Sequence, residues 1–218
     1  MTDGNNFVPS KEHYEILKDV LGYGAEIIGL IFPKFPEAIA AKRVENLISI
    51  VKRVQKKLDE ADLKPEERNA ISLKLGLPII EKSSLEDNPS LQELWANLLT
   101  NALNPKHSEE VGTIFIDIIQ NLSTFDVLVL NAFHISRHPL VPRPQNIVHV
   151  YTKEGYKPYP SKTVENSLNI LMGLNLATDM APTSQLQLGS FNAVQETEVH
   201  LTPLGILFVD ACVKNASK

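Results

Sequence analysis

Apolar residues recur at three- and four-residue steps along most of this chain, the period of helices buried on one face. Lys11 to Phe32 reads as a first helix, with Tyr14, Leu17, Leu21, Ile28 and Ile31 near that spacing. Pro33 and Pro36 break it. Glu37 to Ala61 predicts a second helix, striped by Val44, Leu47, Ile48, Val51, Val54 and Leu58. Asp62 to Arg68 carries Pro65 and reads as a connector or the start of a short helix. Pro78 suits the first turn of a helix over Ile79 to Leu85. Asn88-Pro89 has the form of an N-cap and a first-turn proline, followed by Leu91, Leu94, Trp95, Leu98 and Ala102 on one face. Asn104-Pro105 ends that helix. Val111, Ile114, Phe115, Ile118 and Leu122 mark another. Ser123 or Thr124 caps the next, with Phe125, Leu128, Val129, Ala132 and Phe133 inward.

After His138 the pattern changes. Residues 139 to 160 hold five prolines and one strand-like run, Ile147 to Tyr151. A helix follows over Ser161 to Leu174, with Val164, Leu168, Leu171 and Leu174 inward. Gln185 to Leu188 and Thr197 to Leu201 alternate as a hairpin with a long loop containing Gly189 and Asn192. Thr202 and Pro203 open a last helix, with Leu204, Leu207, Phe208 and Ala211 inward. Helix, strand, helix, hairpin, helix is the order of a winged-helix module. The expected architecture is mainly α: a helical pair over 1–61, a helical core over 62–136, and an α+β winged-helix-like domain over 137–218.

Composition leaves this picture intact. The chain has 218 residues, 43% hydrophobic and 22% charged, which fits a globular protein with a proper core. The net charge of −5 argues against coating nucleic acid by bulk charge. The single cysteine, Cys212, has no internal disulfide partner, which fits a reducing cytoplasm. Cys212 lies beside an apolar stripe and reads as a small buried hydrophobe. The N-terminus lacks the form of a signal peptide. The longest apolar run, Val20 to Phe32, is thirteen residues and short of the roughly 20 that span a bilayer.

Charge placement adds more. Lys42, Arg43, Lys52, Arg53, Lys56 and Lys57 give the second helix a basic outer face, a candidate for an anionic ligand. From Thr163 to Val213, 51 residues hold no Lys or Arg, although even spreading would place about five there. The same stretch carries Glu165, Asp179, Glu196, Glu198 and Asp210. Asn166 and Asn169 face outward on the candidate recognition helix, but DNA affinity rests on cations meeting phosphates. DNA binding by the C-terminal part is therefore not expected, and a protein-interaction role is.

No catalytic signature appears. The glycines Gly22, Gly24 and Gly29 have neither the spacing nor the preceding strand of a dinucleotide fingerprint. Inside a helix each costs about 1 kcal/mol against alanine. Gly22, Ala25 and Gly29 form a strip without bulk, a candidate close helix–helix contact, within the chain or in a homo-oligomer. His134 and His138 are four apart but lack a third ligand nearby and end at Pro139. No cofactor and no metal are expected.

Leu77-Pro78-Ile79-Ile80, Ser84-Leu85-Glu86-Asp87-Asn88, Leu91 and Trp95-Ala96-Asn97-Leu98-Leu99 form a further pattern. It continues through Phe115, Ile118-Ile119 and Leu122-Ser123, and again around Leu174 and at Leu201-Thr202-Pro203-Leu204-Gly205. These stretches resemble the Abi-alpha (abortive infection alpha) family of bacterial phage-defence proteins. After Ser123 that family's pattern has a proline and a Glu-Ala pair; this chain has Thr124-Phe125-Asp126-Val127. The resemblance implies phage defence and no mechanism. Read as residues alone, Glu86 and Asp87 suit a helix N-terminus, and Leu91, Trp95, Leu98 and Leu99 suit a core. A cytoplasmic defence protein working through protein–protein contacts is the expectation. A DNA-binding transcriptional regulator using the basic helix is the alternative, and a membrane-perturbing effector using residues 11–32 is the third reading.

Overall fold

A computed structural model of the chain describes residues 10–22, 36–108, 112–136, 139–143, 147–180 and 198–213. They form two compact units, and the second is inserted in the first. One comprises Met1–Thr124 with Asp210–Lys218, the other Phe125–Val209.

In the first unit, α1 spans Lys11–Leu21, opened by Ser10, whose hydroxyl accepts from His13 N at 3.3 Å. It closes at Gly22, which takes the left-handed φ of 71° and donates its N–H to Lys18 O at 2.9 Å. This corrects the expected continuous helix. Gly22 stands past the end of α1 and costs that helix nothing, because a C-cap is where glycine's positive φ is wanted. Ala25 and Gly29 lie outside the described residues.

Helix α2 spans Glu37–Glu60 and buries the whole expected stripe. A 3₁₀ turn at Pro65–Glu67 leads to α3, Leu73–Ser83. Pro78 is inside α3 rather than in its first turn, so Lys74 O lacks its i+4 donor there. Helix α4, Pro89–Leu103, starts as expected: Asn88 Oδ1 accepts from Ser90 N at 2.9 Å. It is buried all round from Leu94 to Leu103, not on one face. α2 packs along it, α3 packs on both, and α5, Ile114–Asn121, packs against α3 and α4. Ile114, expected inward, is exposed, and Val111 lies outside the described residues.

In the second unit, α6 spans Thr124–Ile135. Three antiparallel strands follow in the order β1-β2-β3: Leu140–Arg143, Ile147–Thr152 and Gly155–Pro160. Only β2 was expected. Its partners carry Pro142, Pro158 and Pro160, which edge strands tolerate and a central strand does not. Val150, Ala132 and Val164 form the core of this layer, with Phe125 edge-on to Tyr159 at 5.0 Å between centroids. Helix α7, Ser161–Gly173, is tied to α6 by Ser167, whose buried hydroxyl donates to Asp126 Oδ1 at 2.5 Å.

Strand β4, Ala177–Met180, pairs with β5, Glu198–Leu201. The hairpin partner of β5 is thus nearer α7 than the expected Gln185 to Leu188, which lies outside the described residues. Thr202 then caps α8, Pro203–Phe208, accepting from Gly205 N at 2.9 Å. A π-helical turn, Val209–Val213, ends the described chain. Phe208 and Ala211 are buried as expected, but Leu207 is 48% exposed. α8 is only six residues long, too short for the assumed inward face to persist.

Candidate functional site

The six basic residues of α2 do not share one face. Arg43 is 4% exposed. Its Nε donates to Ser84 Oγ at 2.9 Å and its guanidinium to Glu81 O at 3.0 Å. Lys57 is buried and pairs with Glu93 Oε1 at 2.5 Å, while Arg53 Nη1 reaches Glu93 Oε2 at 3.0 Å. Lys42, Lys52 and Lys56 stay in solvent; Lys42 lies 3.9 Å from Glu45 and Lys56 3.7 Å from Glu60. The expected outer basic face therefore loses Arg43 and Lys57 to the interior, while Arg53 is partly covered. The reason is helical phase: Arg43, Leu47, Ile50, Val54 and Lys57 succeed one another at three- and four-residue steps along the buried stripe.

These cations belong to a polar seam between α2 and the α3–α4 segment. Asn46 Nδ2 donates to Ser84 O at 3.1 Å, Ser49 Oγ to Gln92 Oε1 at 2.9 Å, and Gln92 Nε2 to Glu86 O at 2.8 Å. Burial alone would raise the Glu93 carboxyl, but the hydrogen bonds and charges of Lys57 and Arg53 outweigh it and hold the group below its ordinary value. Burial pulls the Arg43 guanidinium down, with Glu81 acting against it.

The seam makes stability depend on pH. A lowered folded-state pKa means Glu93 stabilises the fold above the ordinary glutamate value, and that contribution fades as pH falls through the folded value. Urea unfolding of wild type and Glu93→Gln should differ most near neutral pH, and the gap should narrow as pH falls below the ordinary glutamate value. A gap constant across that range would show that the Glu93 charge contributes nothing.

The motif residues Leu91, Trp95, Leu98 and Leu99 are all buried in α4. Asp87 is exposed. Glu86 is half-buried, and its Oε1 accepts from Asn88 N at 2.9 Å; burial raises its carboxyl despite that bond. Lys82, Leu85, Glu86, Trp95 and Gln120 line a recess of about 130 Å³. A larger open cleft of about 410 Å³ lies by Asn69, Ser72, Lys74, Ser108 and Thr113, where Asn69 Nδ2 donates to Ser108 Oγ at 2.8 Å. Neither brings together a nucleophile, a base and an orienting acid.

Sequence reading missed Asn97 and Asn101. Both are buried in α4, and their amides donate to Cys212 O and Ala211 O, each at 2.7 Å. The available signal was two amides four apart inside an otherwise apolar helix. Together with Trp95 they explain the Trp-Ala-Asn-Leu-Leu stretch as interior structure of α4. A family model for abortive infection alpha matches residues 42–212, the span from α2 through the segment these amides hold.

The chain belongs to the abortive infection alpha family. That membership implies phage defence. No curated protein and no solved structure matches the chain. In this family member, no three His, Cys, Asp or Glu side chains gather as metal ligands among the described residues. His134 is exposed, and His138 lies outside the described residues. No single described helix is long and apolar enough to cross a membrane.

The second unit of the abortive infection alpha chain exposes Asn166, Asn169 and Ile170 on α7, and Ile206 and Leu207 on α8. The family-like Leu201-Thr202-Pro203-Leu204-Gly205 stretch is a turn that seats α8. Thr202 Oγ1 donates to Asn175 O at 2.5 Å, and Thr202 N donates to Leu176 O at 3.0 Å. Gly205 packs directly on the Leu176 backbone.

Proposed function

We propose that this chain defends against phage in the cytoplasm by binding protein, without a catalytic step. The carrying observation is the surface of the second unit: Ile170, Ile206 and Leu207 are 41%, 51% and 48% exposed in a stretch without Lys or Arg. Such a surface offers phosphate nothing and offers protein apolar contact. We read α6, α7 and the β4–β5 pair as winged-helix-like, with β2 and β3 where a second helix would stand, serving protein contact rather than DNA. The burial of Arg43 and Lys57 and the pairing of Arg53 with Glu93 weaken the DNA-binding alternative, since they leave Lys42, Lys52 and Lys56 as the exposed basic set of α2. The partner is another protein or a second copy of this chain.

The test is phage plating on cells carrying the full-length protein. Ile206→Asp with Ile170→Asp should abolish protection while circular dichroism and expression stay as in wild type. Lys52→Ala with Lys56→Ala should leave protection intact. Protection lost only in the lysine pair, together with a micromolar, sequence-dependent gel shift of the full chain at low salt, would establish DNA binding instead.

A further inference from the structure

The chain leaves the first unit after Thr124 and re-enters it at Asp210. The returning piece, Asp210–Val213, is the last part of the π-helical turn that continues α8. It is not woven into a sheet, and two side chains meet its backbone. The last carbonyls of a helix have no partner within it. Here Ala211 O and Cys212 O take amide protons from Asn101 and Asn97, residues more than a hundred positions earlier. Ala211 and Cys212 are wholly buried.

Two features mark this seat as a weak one. A π turn is a rare form of helix, frequent at functional sites. Asn97 also spends its amide on the strap while its own Oδ1 stays buried without a hydrogen-bond partner. A buried acceptor left so is a standing cost that seating the strap does not remove. The α2–α4 seam also holds a buried unpartnered atom, Arg53 Nε, but there Gln92 and both carboxylate oxygens of Glu93 are bonded across the interface.

We propose that residues 210–213 act as a detachable strap. They unseat from the first unit as a local event, without global unfolding, and Asn97 and Asn101 set how often. Because the strap is one continuous helical segment with α8, a partner that pulls on α8 pulls on the strap. This goes beyond the proposed protein binding and does not require it, because the strap opens in the isolated chain.

Cys212 is the natural reporter. It is the chain's only cysteine, sits in the strap and is fully buried, and burial pushes its thiol well above the ordinary range. The full-length protein is treated with N-ethylmaleimide across a urea series and labelling is followed by mass. At low urea, labelling should run at least about tenfold faster than global unfolding allows, with weak urea dependence, and should join the global line at higher urea. Asn101→Ala should raise the low-urea rate about fivefold. Glu93→Gln, which touches the α2–α4 seam and not the strap, should leave that rate unchanged while lowering the global midpoint. Labelling that follows global unfolding at every urea concentration would overturn the proposal. So would a low-urea rate raised equally by both substitutions, or one that Asn101→Ala leaves unaltered.

Discussion

Gly205→Val should cost about 3 kcal/mol or more, at the upper end of overpacking penalties, and prevent the second unit from closing at α8. A side-chain carbon built at Gly205 would overlap Leu176 O, and would lie 2.9 Å from Leu176 C and 3.2 Å from its Cα. These are backbone atoms, so no rotamer change relieves the clash. They also cannot move freely. Leu176 O accepts from Thr202 N, and Leu176 N donates to Leu171 O at 2.8 Å, which fixes the peptide from both sides. The preceding Asn175 already holds a left-handed φ of 57° to make this turn. Even Gly205→Ala should lower the melting temperature clearly. Gly173, the last residue of α7, is the control, because a side-chain carbon there meets nothing within 4 Å. Gly173→Ala should be neutral or slightly stabilising, by about 0.5–1 kcal/mol at most. Equal melting of Gly205→Ala and wild type by circular dichroism would show that α8 does not rest on Leu176.

Trp95→Ala should destabilise the first unit by about 3–5 kcal/mol. Trp95 is 1% exposed, at the middle of a helix buried on every side. Its removal takes away the largest buried side chain of the unit, from a helix in which Leu98 and Leu99, three and four residues on, are also fully buried. The polar recess at Lys82, Glu86 and Gln120 borders the same site, so water can fill part of the void and hold the cost within this range. Trp95 is the only tryptophan, and its fluorescence reports this site alone. Native emission should be shifted to the blue of free indole and move red in a single step on urea unfolding. Emission like that of free indole in the native protein, or unchanged urea stability of Trp95→Ala, would place the side chain outside the core.

Pro78 shows how a local rule misleads. Proline is favoured in the first helical turn, so the sequence places a helix start beside it. In the protein α3 begins five residues earlier, at Leu73. The apolar burial of Ile79 and Ile80 against neighbouring helices offsets one missing backbone bond. Glycine misleads in the opposite way. Gly22 resembles a weakness inside a long helix, yet it ends α1 in the one conformation where glycine is best. Period alone could not separate these cases, because an apolar run continues past the glycine.

What the sequence by itself determined is the run of the main helices and two of their N-caps. Helical period placed α2, α4, α6 and α7. Asn88-Pro89 and Thr202-Pro203 marked true N-termini, because a cap needs only its own next three residues. The cation-free stretch from Thr163 and the family resemblance were also present in the order of residues. What only the tertiary structure decided is where distant partners meet. Arg43 and Lys57 could turn inward because Ser84 and Glu93 arrive opposite them, the first 41 residues along the chain. Prolines could sit in β1 and β3 because β2 takes the centre of the sheet and leaves them the edges. Asn97 could be buried because the chain returns 115 residues later to supply a carbonyl. A buried polar group is tolerated only when its partner is in place, and that partner is supplied by packing, not by sequence neighbours.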